Sequence, residues 1–175
     1  MCNERFQQVQ PLQYLCMPPK DCSWKYQEKL LANKLKKENK DERAELKTLK
    51  ESLLTHKDYV KLLQIVFNTW IRKRDENLPC ISCDTPMSER KGDASHYFAT
   101  TYQFLRFNED NVHLSCVPCN QFKHGNILEY APRLEAKIGT DRIQWLHAHR
   151  HDRFDMTIEE LKEKIIYYKK KIKSI

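Results

Sequence analysis

Cys80-Ile81-Ser82-Cys83, Asp93-Ala94-Ser95-His96, Asn111 and Cys116-Val117-Pro118-Cys119-Asn120 mark out the stretch 80–126, around which the rest of the chain is arranged. Two Cys-x-x-Cys pairs with 32 residues between them supply four thiolates to one tetrahedral Zn2+, and each pair fits a tight turn that aims both sulfurs at one point. A closed four-cysteine site leaves no open position for substrate. Its expected role is structural, clamping the ends of the segment it encloses. His96 and Asn111 are fifteen residues apart and Asn120 follows nine later. A short helix over about 118–124, ended by Gly125, places Asn120 and His124 on one face, opposite His96 on a hairpin. Two ligands facing a histidine make a one-metal site within the loop that the cysteines close.

Outward from this stretch the chain reads as helix. Trp24 to Leu54 has no Gly or Pro and is rich in Lys, Glu, Leu and Ala, which are strong helix formers. Its leucines (Leu30, Leu31, Leu35, then Leu46, Leu49, Leu53) are split by a polar gap from Lys36 to Glu45, so no heptad seam runs through. The basic excess of this helix suits phosphates or a solvated charged face equally. Thr55 with Asp58 predicts a capping box and a second helix, with a core stripe of Tyr59, Leu62, Leu63, Val66, Phe67, Trp70 and Ile71. Pro132 in a first turn, Gly139 at a C-terminal cap and Thr140 or Asp141 at the next N-cap predict two short helices with Trp145 and Leu146 packed inward. His147, His149 and His151 alternate, a period that does not gather three ligands on one helix face; they read as surface or DNA-adjacent residues. Thr157 with Glu160 caps a C-terminal amphipathic helix carrying Ile158, Leu161, Ile165, Tyr168 and Ile172 inward and ending in a lysine-rich tip.

Thirty-one Lys and Arg against 24 Asp and Glu give +7, a balance that favours a polyanionic partner. No apolar run approaches a membrane span, and no signal peptide is evident, so a soluble cytoplasmic protein without a membrane partner is expected. Seven cysteines, an odd number, suit metal ligation in a reducing compartment better than a disulfide framework. Cys2, Cys16 and Cys22 are either free thiols or three ligands of an irregular zinc knuckle. Lys91, Arg106 and Lys123, close in sequence to the histidine and asparagine groups, are the expected phosphate contacts. No recognition helix with side chains committed to base edges is visible, so shape rather than sequence is the expected basis of selectivity.

The central residues resemble the HNH nucleases, whose fold is a β-hairpin and helix gripping one divalent metal. More closely, Leu78-Pro79-Cys80-Ile81-Ser82-Cys83, Asp93-Ala94-Ser95-His96-Tyr97, Leu105-Arg106-Phe107, Asn111-Val112-His113 and Cys119-Asn120-Gln121 look like the phage NinG family, which includes the lambda recombination protein Rap. The resemblance implies a structure-selective endonuclease acting on branched DNA such as Holliday junctions and D-loops in the bacterial host cytoplasm. It assigns His96 as general base and Asn111 as the group that orients the His96 ring. Asn120, His124 and Asp93 become ligands of a catalytic Mg2+ or Mn2+. Ser95 stands where many HNH proteins carry Asp or His, so either Asp93 completes the site, water does, or the site is degenerate.

The expected architecture is α+β: a small zinc-stapled ββα-metal core in mainly helical flanks, with a loosely ordered arm over 1–23, a long charged helix over 24–54 and a nuclease domain over 55–175. Paired cutting of a junction predicts a homodimer by symmetry, working beside phage or host recombination proteins. The alternative is a non-catalytic zinc-stabilised DNA-binding or adaptor module, which needs the cysteines and basic helices but not His96 and Asn111 at their spacing.

Overall fold

A computed structural model describes residues 22–87 and 92–175, and the chain divides after Leu54 into two compact units. The arm ahead of residue 22, the Cys2, Cys16 and Cys22 thiols and the Lys91 side chain lie outside the described residues. In the first unit, α1 (Cys22–Ser52) is one unbroken helix, two residues earlier at each end than composition predicts. Its exposed i,i+4 pairs, Lys34 with Glu38 and Lys47 with Glu51, contribute a few tenths of a kcal/mol each, about 0.3–0.5.

The second unit contains α2 (His56–Arg74), β1 (Asp93–His96), β2 (Val112–Ser115), α3 (Ile127–Ile138), α4 (Thr140–His149) and α5 (Ile158–Ser174). Among the described residues this is a mixed, mainly helical fold with one small sheet. Both capping boxes form: Thr55 and Asp58 exchange backbone and side-chain bonds at the start of α2, and Thr157 and Glu160 do so at α5. Behind those caps the apolar spacing aims Leu63, Phe67, Trp70 and Ile71 at Leu161, Ile165 and Tyr168, all buried. The ring of Tyr168 lies edge-on to Phe67 at 5.0 Å, an arrangement that adds to simple area burial. Of the predicted α2 stripe, Leu62 is exposed and Val66 half-buried, so the buried face is narrower than the pattern suggests.

The sheet is an antiparallel pair in which Ser95 opposes His113 and His96 opposes Val112. α2 holds it from one end. Arg74 donates to the carbonyls of Glu109 and Val112, and the Asp75 carboxylate accepts from the Leu114 N–H at 3.1 Å. α3 places Pro132 at its sixth position, not in the first turn. The acceptor that thereby loses its donor belongs to Leu128, which is highly exposed, so water can replace the missing bond. Gly139, at φ 87, joins α3 to α4 in a conformation open to glycine; it caps α4 itself, and Thr140 is already helical. Leu146 is buried as expected, whereas Trp145 is exposed and stacks on His149 at 4.2 Å. His147 and His151 likewise pack against Phe98 and Tyr102. Among the described residues no helix is long and apolar enough to cross a membrane.

Asp75 is 2% exposed and pairs with Arg74 at 2.7 Å and Lys137 at 3.7 Å. Burial alone would raise its pKa, but the Arg74 hydrogen bonds and the two cations outweigh it and hold it below the usual aspartate value. Asp75→Asn is expected to cost about 3 kcal/mol, because it leaves buried cations without their counter-charge; urea unfolding measures the loss. A depressed folded pKa means that this stabilisation is present above about pH 4 and disappears as the pH falls through the folded value. The acid-side slope of stability should therefore shrink in the variant.

Candidate metal centre and adjoining cleft

The four cysteines converge because each pair sits on its own turn. Cys80 and Cys83 flank a turn closed by Asp84 N–H to Cys80 C=O, at 3.0 Å, with Asp84 at positive φ. Cys116 and Cys119 lie at the end of β2 and in a single π-turn, Pro118–Phe122. Ile81 N–H to Leu114 C=O stitches the first turn to β2. The sulfurs all fall within 4.8 Å of one another, and Cys83 and Cys116 are 3.7 Å apart. Zn–S bonds of about 2.3 Å place tetrahedral sulfurs about 3.8 Å apart, so this donor set can hold a metal such as zinc.

Donors aimed at the sulfurs match thiolates. The Cys116 N–H points at Cys80 Sγ at 3.3 Å, and the Asn126 side-chain amide at Cys119 Sγ at 3.8 Å. Burial and the neighbouring thiols push Cys119 up to about 12. Burial also opposes ionisation of Cys83, but the Thr85 hydroxyl and backbone overcome it and bring that thiol down to about 6. Four crowded thiols cannot all ionise alone; a dication at their centre removes the conflict. Cys80, Met87, Leu114, Cys116 and Cys119 also form a small core of their own.

Beside this cluster, a cleft of about 330 Å³ is lined by Ser95, His96, Arg106, Asn120 and His124, and from α2 by Gln64 and Asn68. The structure thus gathers His96, Asn120, His124 and Arg106 as the sequence implied, though not by the predicted route. Instead of an α-helix over 118–124 there is a π-turn, with Lys123 N–H bonded to Pro118 C=O and Gly125 N–H to Cys119 C=O. The chain then leaves through three residues at positive φ, His124, Gly125 and Asn126, so Asn120 and His124 reach the cleft without sharing a helix face. Such backbone persists in non-glycine residues only where its surroundings fix it; Ser82 Oγ helps by donating to Gly125 C=O. Lys123 is exposed at the end of this turn and does not line the cleft.

Asn111 makes no hydrogen bond to the His96 ring among the described residues. It is fully buried; its oxygen accepts from Phe98 N–H at 2.7 Å, and its amide donates to the carbonyls of Phe98 and Leu105. It therefore closes the 97–111 loop on itself. What orients His96 is the next carbonyl along that loop, Arg106, at 3.1 Å from Nε2. A carbonyl only accepts, so Nε2 carries the proton and Nδ1 keeps its lone pair. Burial, helped by the Arg106 charge, holds the His96 pKa below the ordinary histidine value against the opposing pull of that hydrogen bond.

Asp93, expected as a direct ligand, is hydrogen-bonded to Asn120 and Gln121. Its carboxylate accepts from Asn120 Nδ2 at 3.1 Å and Gln121 Nε2 at 2.8 Å, and it is not part of the cleft lining. With its amide nitrogen held there, Asn120 keeps its oxygen as a free acceptor. His113 is buried within the fold. Tyr130 donates to Ser95 C=O, so its oxygen accepts from His113 Nδ1 at 3.3 Å. Burial and the Lys137 and Arg74 charges pull His113 down to about 3. Gln64 and Asn68 carry little sign of a site in the sequence; their only signal is a pair of amides four apart beside the apolar stripe of α2.

The chain is thus a mixed α+β protein in which four clustered cysteines, able to hold a metal, lie at the end of a two-stranded sheet. The family described as Bacteriophage Lambda NinG protein matches residues 1–175, and the chain belongs to the NinG family. The chain is 34% identical to Protein ninG of Escherichia phage lambda, the alignment covering 99% of this chain and 89% of that protein. It is 33% identical to Protein ninG of Salmonella phage P22, over 99% and 90% respectively. Protein ninG of Escherichia phage 933W is 37% identical over 74% of this chain and 64% of its own length. No solved structure matches the chain significantly.

Proposed function

We propose that the chain is a divalent-metal-dependent endonuclease that hydrolyses phosphodiester bonds in branched DNA such as Holliday junctions and D-loops in the bacterial host cytoplasm. The observation that carries this reading is the setting of His96, whose Nε2 lies 3.1 Å from the Arg106 carbonyl in a polar cleft; burial favours the neutral ring, and the carbonyl contact leaves Nδ1 to take a proton from water. A general base near its working protonation state needs this arrangement. Arg106 supplies positive charge beside it, and the net charge of +7 suits a nucleic-acid partner.

Asn120 and His124 are the groups that would hold a Mg2+ or Mn2+, with water and the substrate phosphate completing the shell, since Mg2+ keeps several waters. When bound, the cation supplies charge stabilisation for the departing 3′ oxygen. Asp93 fixes the Asn120 amide, and Asn111 fixes the loop that presents the Arg106 carbonyl. The Zn2+ site clamps the ends of this segment. A homodimer would cut paired strands, with phage or host recombination proteins as partners.

One observation favours the non-catalytic reading: among the described residues the four cysteines are the sole grouping of three or more His, Cys, Asp or Glu ligand atoms. Incubating the full chain with a labelled four-way junction and a linear duplex, with Mg2+ or Mn2+ or with EDTA, separates the two. Junction cutting that needs the divalent ion is expected. Binding without cutting under every condition would replace the enzyme by a zinc-stabilised DNA-binding module.

A further inference from the structure

Arg106 is half-buried, and burial alone lowers its pKa. No carboxylate among the described residues pairs with it. Its Nε donates to Gln64 Oε1 at 2.6 Å, whereas neither Nη nitrogen has a hydrogen-bond partner among the described residues. A half-buried guanidinium with no counter-charge among the described residues, lining a cleft, is a group suited to an anion from outside the chain. A second observation points the same way. Ser95 is 1% exposed and also lines the cleft, and its Oγ is buried without a partner; a phosphate oxygen or its water would satisfy it.

The directions of the bonds on α2 are fixed by chemistry. Arginine can only donate, so Gln64 must turn its oxygen to Arg106 and its amide nitrogen to Asn68 Oδ1, at 2.6 Å. That leaves the Asn68 amide nitrogen as a donor. Gln64 and Asn68 are four apart, one above the other on the helix, and α2 is anchored at its far end by Arg74 and Asp75 to the sheet. The same residue, Arg106, is thus held by its side chain from α2 and holds His96 by its backbone.

We propose that Gln64 and Asn68 are positioning residues that fix Arg106 as the clamp for a substrate phosphodiester, making one face of α2 part of the DNA-binding cleft. This rests on the endonuclease reading for the identity of the substrate, but the clamp itself is a binding device and can be tested without cutting. The probe is a fluorescently labelled four-way junction in EDTA, with affinity measured by anisotropy on the full chain for Gln64→Leu, Arg106→Ala and the double variant. Thermal melting checks that each is folded, and Asn68→Ala serves as a second route into the same contact.

Arg106→Ala is expected to weaken junction binding by about 10- to 100-fold, the range for a hydrogen bond to a charged group, and Gln64→Leu by several-fold. The double variant should bind no worse than Arg106→Ala, because Gln64 acts only through the guanidinium. A merely structural role for Gln64 would instead lower the melting temperature and multiply with Arg106→Ala. Multiplying effects, unchanged binding in both Gln64→Leu and Asn68→Ala, or a parent chain that does not bind the junction would each overturn the clamp. A parent that binds with this coupling but never cuts would uphold it while removing the endonuclease reading.

Discussion

Cys116→Ser is expected to release the metal and unfold residues 80–126 while the α2–α5 core survives. A serine hydroxyl is neutral and hard, a poor substitute for the thiolate that sits 3.7 Å from Cys83 Sγ and whose own N–H supports Cys80. Structural zinc sites contribute about 10–16 kcal/mol of apparent binding free energy. The net stability of a domain is about 5–15 kcal/mol, so the segment cannot keep its fold once the site fails. The core here is too small to compensate, since three of its five buried members are the cysteines themselves. By contrast Phe67, Trp70 and Tyr168 meet between two capped helices and depend on no metal. Elemental analysis should give about one zinc per parent chain and none in the variant. Hydrogen exchange should show the 80–126 amides unprotected, with α2 and α5 still slow. Protection in 80–126 that survives the substitution or chelation would show that the cysteines do not hold this segment together.

The scaffold is legible in the sequence because its signals are local. A threonine and an acid three residues apart define a helix start, whatever lies elsewhere in the chain, and both such boxes form. Cys-x-x-Cys is likewise a short-range signal with one strong physical reading. The site is legible as a set of residues, not as a set of bonds. Asn111 sits fifteen residues from His96 and reaches Phe98 and Leu105 instead, because a buried amide is claimed by whichever backbone groups the loop leaves unpaired. Gln64 meets Arg106 across 42 residues, and no periodicity encodes such a meeting. The π-turn escapes prediction for a related reason. Pro118 and Gly125 mark the ends of a turn, but the number of residues in it is set by where the sulfurs must converge.

His96→Ala is expected to lower junction cleavage by about 10²–10⁴-fold, the range for loss of a positioned general base, while junction affinity in EDTA stays at the parent level. The pH profile of the parent carries the sharper content. If His96 is the proposed general base, only its neutral ring can act, so cleavage should rise with pH through the folded His96 pKa and be flat above it. Burial and the Arg106 charge place that pKa below 6.5, so the acid limb should have its midpoint below this value and the base form should already predominate at neutral pH. Arg106→Ala removes a positive charge near the ring but keeps the backbone carbonyl that fixes the tautomer. With the repelling charge gone, protonated His96 becomes easier to form, its pKa rises, and the acid limb should move to higher pH even as affinity falls. A parent midpoint at or above 6.5, or an acid limb that moves to lower pH on removal of Arg106, would take the general-base role away from His96.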